Sequence, residues 1–438
     1  MLDKAVVVNV LYLTSEKLLR FISAIFVGAW IARYLGPEGF GLFSLGLALS
    51  MIFSPIAGAG LRQIVYREFI KKPEDKYSNL FFNASLSMLI TGFIALFFAC
   101  LTIFAFDDDD SHILLLIIMC IPLIFKFTEV PTYYFEAMIE SRIMVVIRCG
   151  FQLFFILVKC VLILLDAGIL LIAIAVGAET ILSGLTALAY MRTKPKFQGE
   201  IKFQPMECKA LVRAGFPLLI SGLLSALVLR VDQFVLRQLV GIEELGIYSA
   251  ALRIPENLTF VPAVLWVSIA PRVFQSVSAE NHNATNFSFS GVNYSILALS
   301  VSVALVFSLF NELIINTLFG IDYNEAIGIS SILIWVLPLF CIVSSRSYWL
   351  LNNGFQALEV PLMFSTLILN FLLNLFLIPI FGGAGAAWSS LLSLLIIILV
   401  SPVFSQRLRS FYREVFVLKY SEVLLFQSFL RGINFFSK

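Results

Sequence analysis

Leu35-Gly-Pro-Glu-Gly-Phe-Gly-Leu-Phe-Ser44 aligns without a gap against Val240-Gly-Ile-Glu-Glu-Leu-Gly-Ile-Tyr-Ser249, so position n of the first stretch answers to position n + 205 of the second. Gly, Glu, Gly and Ser recur at matching places: 36 and 241, 38 and 243, 41 and 246, 44 and 249. Each copy joins two long apolar segments as the turn between the first and second helices of a six-helix half. An even number of helices returns the chain to the side on which it began. The halves therefore share one orientation and are expected to be related by a pseudo-two-fold axis along a membrane normal.

Composition fixes the environment of these turns. The 438 residues are 60% hydrophobic and 13% charged, against roughly 45–50% and about 25% in an ordinary soluble domain. That balance excludes a soluble enzyme, a nucleic-acid binder and a secreted disulfide scaffold, and a net charge of +2 carries little further information. A spanning helix needs about 20 predominantly apolar residues. Such runs fall at 6–32, 40–63, 79–104, 112–135, 143–165, 168–191, 211–236, 246–270, 289–310, 328–349, 359–380 and 386–404. The expected fold class is an all-α integral membrane protein of twelve transmembrane helices in two six-helix bundles. The expected parts are an N-terminal bundle over 1–191, a hydrophilic linker over 192–210, a C-terminal bundle over 211–404 and a tail over 405–438. The tail is too interrupted by Arg413, Lys419, Glu422 and Arg431 to span, and reads as a helix lying on the inner surface. The first helix has no small-residue cleavage site and is expected to be retained.

Loop charges set the orientation. With the N-terminus inside, inward connections hold Arg67, Lys71, Lys72, Lys76, Arg142, Arg192, Lys194, Lys196, Lys202, Lys209 and Arg272, and the tail adds Arg407, Arg409, Arg413 and Lys419. Outward loops hold Glu38, Asp107 through Asp110, Asp166, Glu243, Glu244, Glu312, Asp322 and Glu325, so both termini are expected in the cytoplasm. The four-Asp run lacks the alternating ligands and turn glycine of a calcium loop and reads as an exposed acidic loop.

Ionisable residues within apolar spans cost free energy unless they face a cavity or a partner. Lys126 with Glu129 and Arg253 with Glu256 stand three apart and can neutralise each other on one helix face. Arg346 lies close enough to a helix end to reach water. Others lack such an account. Asn9, Glu16, Arg20 and Ser23 form one polar stripe on the first helix, and the repeat offset carries Glu16 to Ser221, Arg20 to Ser225 and Val27 to Asp232, which again share a face. Arg148, Gln152 and Lys159 align on the fifth helix with no acid beside them. The candidate substrate-binding residues are therefore Arg20, Arg148, Lys159 and Arg230, with Glu16 and Asp232 as ion-coupling groups or charge partners. Asn370 and Asn374 read as helix-joining amides. The excess of base points to an anionic substrate held by Arg forks and Lys point charges.

Enzyme chemistry finds no support. His112 and His282 lie at a helix end or in a loop, no His/Cys/carboxylate group has metal-ligand spacing, and no phosphate-binding Gly loop occurs. No metal and no cofactor are expected, and the six cysteines read as reduced packing residues.

Arg33-Tyr-Leu-Gly-Pro-Glu-Gly-Phe-Gly-Leu-Phe-Ser, Gly60-Leu-Arg-Gln-Ile-Val-Tyr-Arg-Glu, Phe216-Pro-Leu-Leu-Ile-Ser-Gly-Leu, Val231-Asp-Gln-Phe and Leu245-Gly-Ile-Tyr-Ser-Ala-Ala occur in this order along the chain. With them the sequence resembles the polysaccharide-flippase family of the multidrug/oligosaccharidyl-lipid/polysaccharide exporter (MOP) superfamily, and within it the Wzx-type O-antigen flippases. The resemblance implies a bacterial inner-membrane protein that moves an undecaprenyl-diphosphate-linked anionic oligosaccharide to the outer leaflet by alternating access with ion exchange. It also implies membrane lipid around the spans, and a polysaccharide polymerase and a chain-length regulator as partners. Twelve helices rather than fourteen separate it from the lipid II flippase branch. Two alternatives stay open: a drug/cation antiporter of the same fold, which would favour acidic cavity residues, and a membrane polysaccharide polymerase, which needs a larger outer loop.

Overall fold

The computed structural model describes residues 4–107, 109–197, 199, 202–259, 261–262, 265–266 and 289–416, with side chains between 12 and 413. Every regular element among them is helical. In chain order they are α1 (Lys4–Ala57), α2 (Leu61–Lys71), α3 (Tyr77–Phe106), α4 (Asp110–Cys120), α5 (Val130–Ala137), α6 (Arg142–Leu164), α7 (Gly168–Arg192), α8 (Pro205–Leu239), α9 (Ile242–Leu258), α10 (Phe289–Leu318), α11 (Glu325–Leu333), α12 (Val336–Asn352), α13 (Glu359–Phe404) and α14 (Gln406–Phe416), with short 3₁₀ turns between some of them.

Nine stretches among the described residues are long and apolar enough to cross a membrane. Two of these, Tyr12–Ala57 and Gln356–Phe404, run to 46 and 49 residues. A straight helix of that length would reach about 70 Å, more than twice the ~30 Å hydrocarbon core. Both are broken by a glycine. Gly36 stands at φ 66°, ψ 176° and Gly382 at φ 56°, ψ −133°, backbone regions closed to residues with a Cβ, so each stretch supplies two crossing-length helices. The expected eighth span, 246–270, is described only in part. Residues 417–438, most of the expected surface tail, also lie outside the described residues.

Helix faces sort as a lipid environment requires. On α3 the exposed residues Ile90, Phe93, Phe97, Leu101 and Phe104 make one large apolar stripe. The opposite stripe of Ala84, Ser87, Gly92, Ala95 and Ala99 is buried and small, which lets neighbouring backbones approach.

The described chain groups by contact into two compact units, 1–249 and 250–438. In the first, α8 packs on α1, α2 and α3. One end of this unit is filled by an aromatic cluster of Phe69, Tyr77, Phe81, Tyr134 and Phe197, with Tyr134 and Phe197 at 4.8 Å between ring centroids. Phe197 comes from the expected linker, and Lys196 beside it pairs with Glu74, a hydrogen bond that raises the ammonium pKa. At the other end the two repeated turns meet. A Cβ added to Gly41 would run into the carbonyl oxygen of Ile242 and lie 2.9 Å from the nitrogen of Gly246. A Cβ on Gly246 would run into the carbonyl oxygen of Pro37 and lie 3.0 Å from the nitrogen of Gly41. Under the offset Gly41 answers to Gly246 and Pro37 to Ile242, so the contact is reciprocal.

In the second unit, Trp266, Val292, Ile296 and Cys341 form one buried cluster, and Trp349, Leu350, Leu408 and Phe411 another. The amphipathic α14 thus turns Leu408 and Phe411 into its own unit, while Arg407 covers the Phe355 ring at 4.3 Å.

Three local expectations need correction. Arg346 does not reach water. It is 3% exposed and faces Glu359 at 3.5 Å, because the short turn at Gln356–Leu358 brings the start of α13 back beside α12. The acidic loop is not wholly exposed either: Asp107 is buried and paired with Arg237 from the end of α8. Asp109 fits the expectation. It caps α4 by accepting from the Ser111 nitrogen at 2.8 Å, and its hydrogen bonds from Ser111 lower its pKa. Finally, 112–135 is not one α-helix. Between α4 and α5 the backbone tightens to a 3₁₀ helix over Ile121–Glu129, where Pro122 removes a donor. The narrower coil lies directly on small residues of its neighbours: a Cβ on Gly92 would come 2.7 Å from the Leu123 carbonyl oxygen, and one on Gly184 would strike Thr128.

Candidate substrate cavity

The 3₁₀ segment turns Lys126 and Glu129 into a cavity of about 560 Å³ within the first unit. Its wall is built by α1 (Arg20, Ser23, Ser50, Ser54), α2 (Arg62), the 3₁₀ segment and α5 (Thr132, Tyr133, Glu136), α6 (Arg148, Gln152) and α7 (Glu179, Thr180). Four bases and three carboxylates line it.

Charges here are matched both along helices and between them. Glu16, buried behind the wall, takes Arg20 at 2.8 Å and Arg148 at 3.4 Å on the same carboxylate oxygen. Arg148 also donates to the Thr132 hydroxyl at 2.6 Å, and Gln152 to the Leu19 carbonyl at 3.5 Å. Lys159 stands behind Glu179, which accepts from it at 2.7 Å and itself lines the cavity. Lys126 pairs with Glu129 at 2.7 Å, as the three-residue spacing predicts, and Tyr133 donates to the second Glu129 oxygen at 2.9 Å. Arg62 places one terminal nitrogen 3.1 and 3.2 Å from the two oxygens of Glu136.

Of the sequence candidates, the structure brings Arg20, Arg148, Glu16 and Lys159 to this one cavity or directly behind its wall. It does not place Arg230 and Asp232 in that wall. Both are buried on α8; Arg230 lies beside the Met51 sulfur at 3.2 Å, and the Asp232 carboxylate accepts from the Tyr248 hydroxyl and from the Gln233 nitrogen at 2.7 Å. Sequence reasoning missed Arg62 and Glu136. The available signal was Gly60, which at φ 63° ends the preceding turn and starts α2 with Arg62 in the cavity wall. Asn370 accepts from Asn374 at 3.0 Å and donates toward Ser390 and Ser393, at 3.4 and 3.5 Å beyond the Gly382 break, so it joins the two segments of α13 as a helix-joining amide should.

The arrangement presents guanidinium and ammonium groups inside a membrane protein, each held in place by a carboxylate. No group of three or more His, Cys, Asp or Glu residues that could hold a metal ion occurs among the described residues.

A family model described as polysaccharide biosynthesis protein matches residues 6–277. The chain belongs to this family. A curated relative, the "Putative O-antigen transporter" of Shigella flexneri, is 23% identical over 321 residues, covering 67% of this chain and 72% of its own. Among solved structures, the lipid II flippase MurJ in an inward closed conformation superposes with a TM-score of 0.69 at 15% identity, over 97% of this chain and 93% of its own. A multidrug-resistance MATE transporter of the MOP superfamily, inward-facing, gives 0.65 at 13% identity over 90% and 96%. The family and the fold agree with the resemblance to Wzx-type flippases of the MOP superfamily. They are a polysaccharide-biosynthesis family and a fold shared with multi-pass membrane transporters.

Proposed function

We propose that this protein flips an undecaprenyl-diphosphate-linked anionic oligosaccharide from the inner to the outer leaflet of a bacterial cytoplasmic membrane. The observation that carries the reading is the cavity: four bases line an internal space of about 560 Å³ in a chain of the polysaccharide biosynthesis family. In this reading twelve helices form bundles over 1–191 and 211–404, joined by the linker 192–210, and alternate access between the leaflets with both termini in the cytoplasm. Arg20 and Arg148 hold the anionic part of the substrate. Lys159 positions Glu179 at the wall, and Arg230 serves the path from α8. Glu16 and Asp232 exchange a proton or cation during the cycle. A polymerase and a chain-length regulator receive the product. A drug/cation antiporter would present uncommitted carboxylates, whereas Glu129, Glu136 and Glu179 are each held by a base.

Deleting the gene should leave a lipid-linked oligosaccharide on the cytoplasmic side, identifiable by mass spectrometry of extracted lipids and lost on complementation. Unchanged lipid-linked sugars, together with impaired organic-cation efflux, would replace this reading by the antiporter. The orientation has its own test. In a chain whose six cysteines are replaced, a cysteine at Asp110 should react with an impermeant maleimide from outside and one at Lys196 should not; the reverse pattern inverts the topology.

A further inference from the structure

The reciprocal contact of the two repeated turns has a chemistry suited to opening and closing. Gly41 meets the backbone of Ile242 and Gly246, and Gly246 meets the backbone of Pro37 and Gly41. These closest approaches are main chain to main chain. A joint of this kind parts and re-forms without interdigitated side chains having to change rotamer, and only glycine permits the approach. Its neighbours show that the requirement is local: a Cβ on Gly39 would meet nothing but the Leu35 side chain of its own turn, at 3.1 Å. The cavity lies to one side of the joint. Wall residues contributed by the second half of α1 run from Leu47 to Ser54 and stop short of Gly41. Along α1 the contact thus stands beyond the cavity, toward the end that carries the turns.

We propose that the Gly41–Gly246 contact is the reversible outer seal of the transport path, closed while the cavity is shut off from the outer side and parted when it opens there. This rests on the flippase reading for its direction and cargo. A side chain at either glycine would hold the two turns apart, so the carrier would stay open outward, accept no substrate from the inner leaflet and cease to flip. Because the contact is reciprocal, the two positions should behave alike.

The test uses the full chain, free of native cysteines, in right-side-out and inverted membrane vesicles, with a reporter cysteine at Ser50. That position lines the cavity nine residues along the helix from Gly41, about 14 Å deeper at 1.5 Å per residue. With glycine at both positions the reporter should be protected from an impermeant maleimide applied from outside. Gly41→Ala and Gly246→Ala should each expose it from outside and, in the absence of the reporter change, abolish flipping at undiminished membrane abundance. Gly39→Ala should match the parent in both readouts. Full flipping with the reporter still protected would overturn the seal. Loss of both glycine variants from the membrane would do so too, by making the contact a static packing requirement. The labelling readout does not depend on the cargo: exposure of the reporter in a strain whose lipid-linked sugars are unaffected by gene deletion leaves the seal standing and removes the flippase reading alone.

Discussion

Arg20→Ala is expected to reduce flipping about 10- to 100-fold while leaving the protein at parental abundance in the membrane. The loss corresponds to one or two charge-assisted hydrogen bonds to an anion at roughly 1.5–3 kcal/mol, with each 1.4 kcal/mol worth about tenfold. Abundance holds because Glu16 is not stranded: Arg148 lies 3.4 Å from the same oxygen and remains its partner. Arg20 also has the exposure of a binding group, its side chain being 57% accessible where that of Glu16 is 7%. Arg20→Lys should keep part of the activity, since it retains the charge and loses the fork. The competing view treats Arg20 and Glu16 as a purely structural pair four residues apart. It makes the opposite forecast, that Glu16→Gln with Arg20→Gln restores transport. Flipping assays of the three variants, normalised to membrane protein, separate the two, and recovery in the double variant would end the binding assignment.

The helical class and the internal repeat were legible because both follow from local pattern. Long apolar runs can satisfy their backbones in lipid only as helices, and a turn of Gly-x-Glu-x-x-Gly form needs glycine wherever it recurs. What the sequence concealed is partnership across space. Arg148 and Lys159 look isolated on their own helix, yet their acids, Glu16 and Glu179, stand 132 and 20 residues away on other helices. Arg346 looked free to reach water because the turn that returns Glu359 beside it has no strong marker. The break at Ile121–Glu129 was half visible: Pro122 signals a lost donor, but proline alone does not tell a kink from a tightened coil. The deciding feature is Gly92, on a helix some thirty residues upstream, which leaves room for the Leu123 and Ile124 backbone. Arg62 escaped notice for a similar reason, since it fell within the expected span 40–63, close to its end, where nothing in the periodicity marks it as turning into the cavity.

Removing one member of the Lys159–Glu179 pair is expected to be the most damaging change to stability, and the two single variants should differ. Glu179→Ala leaves an ammonium whose side chain is 9% exposed, whereas Lys159→Ala leaves a carboxylate that is 25% exposed and opens on the cavity. An uncompensated buried charge costs about 3–5 kcal/mol, and the loss falls short of that wherever water reaches the survivor. Glu179→Ala should therefore lower the unfolding temperature and the membrane abundance more than Lys159→Ala does. The double variant Lys159→Met with Glu179→Gln leaves no charge unpaired and should restore both. Flipping measured in that rescued protein then settles what the pair does. Parental transport makes the pair a stabilising contact only, as its place behind the cavity wall at 2.7 Å implies. An abundant but inactive double variant would show that a charge at this place, on Lys159 or on Glu179, is needed in the transport cycle itself.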